Sequence, residues 1–144
     1  MATSSTYYSF PGKLADGTID WDTSSIYASL HTSSYTPNRS HTQGSDISAS
    51  EVSHAGYTAG GVALTGKTVS ASGTDTKLGG TIPAITPTGS SMTCRYMILR
   101  KGSGAIVGSD PLICVIDLSS QTISAGYSLT VAFPNSIYTL QPGS

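Results

Sequence analysis

An all-β fold, an antiparallel β-sandwich or barrel-like domain with an extended N-terminal arm, is what the sequence predicts, and three observations predict it. No window places apolar residues at i, i+3, i+4 and i+7 for more than one turn, and strong helix formers are scarce, so helix is a minor component at most. Short runs suited to strands recur instead, separated by clusters of Gly, Pro, Asn and Ser, the spacing of a sandwich or barrel. The chain has 144 residues, 38% of them hydrophobic, and a formal net charge of −1. That balance favours collapse over disorder, and the length suits one domain that buries a core without metal or disulfide staples.

From the N-terminus, residues 1–15 carry Tyr7, Tyr8 and Phe10 but little with which to form a core of their own. Chain ends are ordered only where tied down. A weak strand is expected at residues 7–10, and Pro11-Gly12 is expected to prevent continuation into a helix. Residues 1–15 thus read as an extended arm, and residues 16–144 as a single β domain. Asp16, Asp20 and Asp22 fit turn chemistry, because their spacing and the missing bidentate Glu fail the calcium-loop pattern.

The run Ile26-Tyr27-Ala28-Ser29-Leu30-His31 is a clear strand with Ile26, Ala28 and Leu30 on one face. Tyr35-Thr36-Pro37-Asn38 reads as a turn. Residues 33–61 are polar and irregular, which in a compact domain marks a functional loop or a short helix with a poor signal. Residues 45–54 are the helix candidate, with Ile47 and Glu51 one turn apart. A weaker strand follows at residues 62–69. Tyr96-Met97-Ile98-Leu99 is apolar on both faces, as a central strand is. Residues 100–111 hold three Gly residues between two strong strands and form a long hairpin tip. Further strands are expected at residues 112–118, 129–133 and 137–140.

Composition removes several function classes. Charged residues are 10% of the chain, where roughly 25% is usual, and 25 Ser and 19 Thr take their place. With no basic run to release counterions, direct nucleic-acid binding is not expected. The longest wholly apolar run, Leu112-Ile113-Cys114-Val115-Ile116, is far short of the roughly 20 residues that span a bilayer, so no membrane partner is expected. The opening MATSSTYY has neither a basic nor an apolar region, so export through a Sec signal peptide is not expected.

The sequence carries no recognisable catalytic constellation. There is no Gly-x-Ser-x-Gly elbow, no phosphate-binding loop and no GxGxxG after a strand, and only 8 carboxylates from which to draw an acid/base pair. No catalytic residue, cofactor or metal site is assigned, and the chain is not expected to be an enzyme. His31, His41 and His54 lack zinc-ligand spacing and read as loop or surface histidines. Asn38-Arg39-Ser40 matches a glycosylation sequon, which without secretion reads as chance. A symmetric hairpin centred near residue 105 or 106 sets Cys94 against residue 117 and Cys114 against residue 97. The sulfurs are then not opposed, and two free buried thiols are expected.

The stretch Gly17-Thr18-Ile19-Asp20-Trp21-Asp22-Thr23-Ser24-Ser25-Ile26-Tyr27-Ala28-Ser29-Leu30, followed by Thr32-Ser33-Ser34-Tyr35-Thr36-Pro37-Asn38, resembles a group of small tailed-bacteriophage proteins whose sequences open D-x-D-x-x-x-I-x-x-x-L-x-T-S-x-Y-x-P. The likeness continues through Glu51-Val52 and through its most specific part, Gly56-Tyr57-Thr58-Ala59-Gly60-Gly61-Val62-Ala63-Leu64-Thr65-Gly66-Lys67-Thr68-Val69. It resumes at Thr93 to Leu99 and Asp110 to Asp117, spans roughly residues 17–133, and departs from the group at residues 81–87 and at the two cysteines. The resemblance implies a virion component encoded beside the major capsid protein, with no catalytic residues to carry over. A head decoration or cement protein on the capsid surface is the first expectation, with the major capsid protein and neighbouring copies of itself as partners.

Tyr7, Tyr8, Phe10, Tyr35 and Tyr57 are the candidate partner-binding residues. A neutral Ser/Thr-rich β domain with an aromatic arm suits lying on another protein, where edge strands and arms extend a neighbour's sheet. The alternative is a tail or host-attachment β-sandwich that binds carbohydrate, because 8 Tyr and one Trp offer aromatic platforms. For Trp21, Tyr35 and Tyr57, burial statistics favour packing in the core over such a platform.

Overall fold

The computed structural model describes residues 3–132 and 137–141. Among these residues, eight strands form two antiparallel sheets, the all-β, sandwich-like architecture that the pattern predicts. The larger sheet has the order β1-β7-β6-β2-β3, built from Thr3–Thr6 (β1), Leu112–Ile123 (β7), Met92–Lys101 (β6), Ile26–His31 (β2) and Val62–Ala63 (β3). The smaller is β4-β5-β8, from Thr65–Ser72, Asp75–Thr81 and Tyr138–Leu140. One apolar core joins them, with Ile26, Ala28, Leu30, Met97, Leu99 and Ile116 of the large sheet against Leu78 of the small one.

β6 is central and both faces of its sheet are covered, as its apolar run requires. Met97 and Leu99 face the small sheet, whereas Tyr96 and Ile98 join a second cluster with Tyr7, Tyr35, Ile47, Leu112 and Val115. That second face is roofed by the irregular segment of residues 32–61. Within this segment the expected helix is reduced to two 3-10 turns, Gly44–Asp46 and Ser48–Ser50.

The β6–β7 register corrects the symmetric hairpin. Cys114 lies opposite Leu99, not residue 97, and Cys94 opposite Gln121, not residue 117. The reason is two bulges: Ile113 is extra between Leu112 and Cys114, and Leu118, Ser119 and Ser120 stand against Arg95 alone. A bulge changes which face later side chains take, so Met92 and Cys94 point into the inter-sheet core with Met97 and Leu99. Both cysteines are free and buried, as expected.

The N-terminal segment corrects the arm. Thr3–Thr6 pairs along β7, from Thr3 opposite Asp117 to Thr6 opposite Cys114, and Tyr7 and Phe10 are both 0% exposed. No strand forms at residues 7–10; instead a helix, α1, runs Phe10–Ala15 with Pro11 in its first turn. There a missing N–H costs nothing and the fixed φ suits the helix, so this proline starts a helix. Phe10 meets Trp21 and Tyr138 edge to face, at centroid distances of 6.4 and 5.2 Å. Met1 and Ala2, the first residues of the expected arm, lie outside the described residues.

Other boundaries shift as well. The expected strand at 62–69 divides at Leu64 into β3 and β4, which belong to different sheets. β5 has no counterpart in the sequence reading. Residues 129–132 form no strand, only a bridge between Leu129 and Ile85, and Phe133 lies outside the described residues. The last expected strand, at 137–140, is present as β8.

Candidate functional site

Alternation along β2 sends Ile26, Ala28 and Leu30 into the inter-sheet core and Tyr27, Ser29 and His31 to the opposite face. Ser29 and His31 are both 0% exposed there, so His31 is not the surface histidine expected. The reason is the roof, which turns a face that looked solvated into an interior. Ser50 Oγ donates to the Ile47 carbonyl (2.9 Å), so it accepts from His31 Nδ1 (3.0 Å). Ser29 Oγ lies 2.8 Å from Nε2 and 3.4 Å from the Ile98 carbonyl; with its proton on the shorter contact, Nε2 accepts and the imidazole is neutral. Burial, and then the nearby Arg100 guanidinium, lower its pKa from 6.5 to about 4.

A hydroxyl bonded to an imidazole is the geometry of a nucleophile with its base. Here the pair is sealed from solvent, and the second ring nitrogen is held by a hydroxyl rather than a carboxylate. The arrangement anchors the roof to β2.

Arg100 is the second buried polar anchor, also 0% exposed. Its guanidinium donates to Asp110 Oδ2 at 2.5 Å, to the Gly104 carbonyl at 2.5 Å and to the Gly60 carbonyl at 3.2 Å. One cation thereby ties together the β6–β7 hairpin tip and the Gly60-Gly61 turn, whose backbones approach so closely that side chains are excluded. A Cβ on Gly60 (φ +92°) would lie 1.9 Å from the Gly104 oxygen, and one on Gly61 (φ +81°) 1.8 Å from the Ala28 oxygen. Glu51 completes the roof: its Oε1 accepts from the Tyr57 hydroxyl (2.9 Å) and the Gly60 amide (2.5 Å), while the Tyr57 oxygen accepts from the Leu30 amide at 2.9 Å. Residues 56–61, the first part of the Gly56-to-Val69 stretch in which the resemblance is most specific, therefore dock the roof.

Of the five candidate partner-binding residues, four are interior. Phe10 lies in the inter-sheet core, while Tyr7 and Tyr35 join their hydroxyls at 2.8 Å beneath the roof, with Tyr35 passing on to His41 Nδ1 at 3.0 Å. Burial raises both phenols' pKa values, that of Tyr7 strongly, so they stay neutral. Trp21, Tyr35 and Tyr57 are 3%, 5% and 8% exposed, which is the core-packing alternative. Tyr8 alone is on the surface, 65% exposed. The Arg39 guanidinium stacks 4.4 Å from its ring centroid, and Arg39 Nε donates to the Thr6 carbonyl at 2.7 Å. This pair stands at the end of β1, an edge strand of uncharged Ser and Thr.

Open clefts with polar groups among the described residues include two of larger volume. One of about 480 Å³ lies over the roof, lined by Tyr35, Asn38, His41, Asp46 and Ser50 among others. The other, of about 630 Å³, lies along the end of β7 beside Tyr127. Among the described residues, no group of three or more His, Cys, Asp or Glu is placed to hold a metal ion, and no helix is long and apolar enough to cross a membrane.

Comparison with protein-family models, with curated proteins and with solved structures returned no match.

Proposed function

We propose that this chain is a non-enzymatic structural protein of a tailed-phage virion, one that binds the outer capsid lattice as a decoration or cement protein and bridges neighbouring major-capsid subunits. One observation supports it above the others. The residues that carry the resemblance are those on which this fold depends: Trp21, Ile26, Leu30 and Met97 to Leu99 in the cores, and Tyr57, Gly60 and Gly61 at the roof contact. The likeness thus covers fold-determining positions along the chain rather than one local motif. The contact surface in this reading is the outer edge of β1 with the Tyr8–Arg39 pair, since an edge strand adds readily to a neighbour's sheet. Each contact is weak, and a repeating lattice multiplies it.

Quantitative mass spectrometry of purified particles tests the reading. On the order of hundreds of copies per particle are expected from lattice occupancy, and Tyr8→Ala should reduce co-sedimentation of the protein with empty capsids. A handful of copies places the protein in the tail, and absence from the particle overturns the proposal.

A further inference from the structure

The groove beside Tyr127 is made by the end of β7 and the residues that follow it. Its floor is Ile123, 8% exposed, and its walls include Gln121, Thr122, Ser124, Ser128 and Thr130. Tyr127 projects at its side, 72% exposed, the most exposed of the large apolar side chains among the described residues.

The backbone around the groove is fixed. Tyr127 N–H donates to the Ser124 carbonyl at 3.0 Å, and Gly126, at φ +85°, donates to the Pro87 carbonyl at 2.9 Å. Leu129 and Ile85 exchange both backbone bonds, at 2.8 and 3.0 Å. Ser128 Oγ is held by Thr86 Oγ1 at 2.6 Å and Thr122 Oγ1 by Thr93 Oγ1 at 3.1 Å. These contacts place two hydroxyls and the backbone that carries the aromatic ring before any ligand arrives, and preorganisation lowers the ordering cost of binding.

Every lining residue among the described ones is uncharged. No cation is there to receive a phosphate, sialate or uronate, and no carboxylate to receive an amine. A protein partner of ordinary interface size would bury roughly 800 Å² on each side around an apolar centre, whereas this is a concave polar groove with one exposed ring. An aromatic platform with convergent hydroxyl and amide groups matches a molecule that has an apolar C–H face and a rim of neutral hydroxyls.

We propose that this groove is a binding site for neutral hexose-type glycans, with Tyr127 stacking against a sugar face and the Ser/Thr hydroxyls and the Gln121 amide bonding its rim. The site differs from the platform expected of Trp21, Tyr35 and Tyr57, which are buried, and it stands independently of the capsid reading.

A glycan array carrying neutral and acidic oligosaccharides, probed with the full chain and with Tyr127→Ala and Tyr127→Trp, tests it. Neutral glycans should be retained. Tyr127→Ala should weaken binding roughly tenfold with an unchanged thermal melt, because the ring is exposed. Tyr127→Trp should keep the binding, and about 0.5 M salt should leave it intact, as no ion pair contributes. Retention of no neutral glycan, selective retention of acidic ones, or binding that survives Tyr127→Ala would overturn the assignment. Loss of capsid co-sedimentation in Tyr127→Ala without any glycan binding would make Tyr127 a protein contact and would equally overturn it.

Discussion

Phe10→Ala tests whether the first fifteen residues belong to the fold. The ring is 0% exposed and lies edge-on to Trp21 and Tyr138, so truncation removes two aromatic contacts and leaves a cavity at the junction of α1 with the inter-sheet core. Phe→Ala changes of this kind cost about 3–5 kcal/mol. In a domain near 150 residues each kcal/mol lowers Tm by about 2–4 °C, so a drop of roughly 6–20 °C is expected. Tyr8→Ala is the internal control: it removes an exposed ring stacked on Arg39, a contact worth about 0.5–1 kcal/mol, and should lower Tm by at most about 4 °C. Both variants are measured by differential scanning calorimetry at one pH and protein concentration, with guanidinium titration to check that the m-value is unchanged. If Phe10→Ala melts within about 2 °C of the parent, or no lower than Tyr8→Ala, the segment is only loosely docked and the argument from burial fails.

His31 should make the fold acid-sensitive. Its pKa is about 4 in the fold against 6.5 ordinarily, so between those values the unfolded chain binds the extra proton; its contribution is whole above pH 6.5, declines through the window and is flat below 4. About 3 kcal/mol should be lost in all, and an NMR titration in which the His31 ring charges near pH 6.5 in the folded protein would contradict this. Burial raises the Cys94 and Cys114 thiols to about 11 and 12, so a disulfide reagent at pH 8 should label neither until denaturant is added, and rapid native labelling of either would refute the packing. Gly61→Ala forces a Cβ to within 1.8 Å of the Ala28 oxygen at a positive φ and should abolish soluble expression, whereas Gly12→Ala, in open space, should be tolerated; equal yields of the two would sink the close-approach argument.

Legibility in the sequence followed side-chain burial. β2, β6 and most of β7 could be read because their apolar residues face the cores, and the two free thiols followed even from a register that was wrong in detail. β1 and β5 left almost no trace: TSST has no apolar residue, and DTKLGGT has only Leu78 buried. These strands exist because neighbours supply backbone partners, β7 for one and β4 and β8 for the other, and backbone pairing writes nothing into a hydropathy pattern. Gly79 and Gly80, which argue against a strand by propensity, lie where the Trp21 indole donates to the Gly79 carbonyl at 3.0 Å.

The candidate site was less legible for the same kind of reason. A histidine, an arginine and a glutamate in a Ser/Thr-rich chain look solvated one at a time, since charge and polarity are local properties of the sequence. Whether a roof covers them depends on long-range contacts: Arg100 with Gly60, Tyr57 with Leu30, Tyr7 with Tyr35. By itself the sequence determined the fold class, the central strand and the inward face of β2, because period-two hydrophobicity is set by neighbouring residues. Only the tertiary structure decided that Tyr7 and Phe10 turn inward while Tyr8 stays outside, that the second sheet face is an interior and that Tyr127 is exposed, because burial is settled by what folds over a residue from elsewhere in the chain.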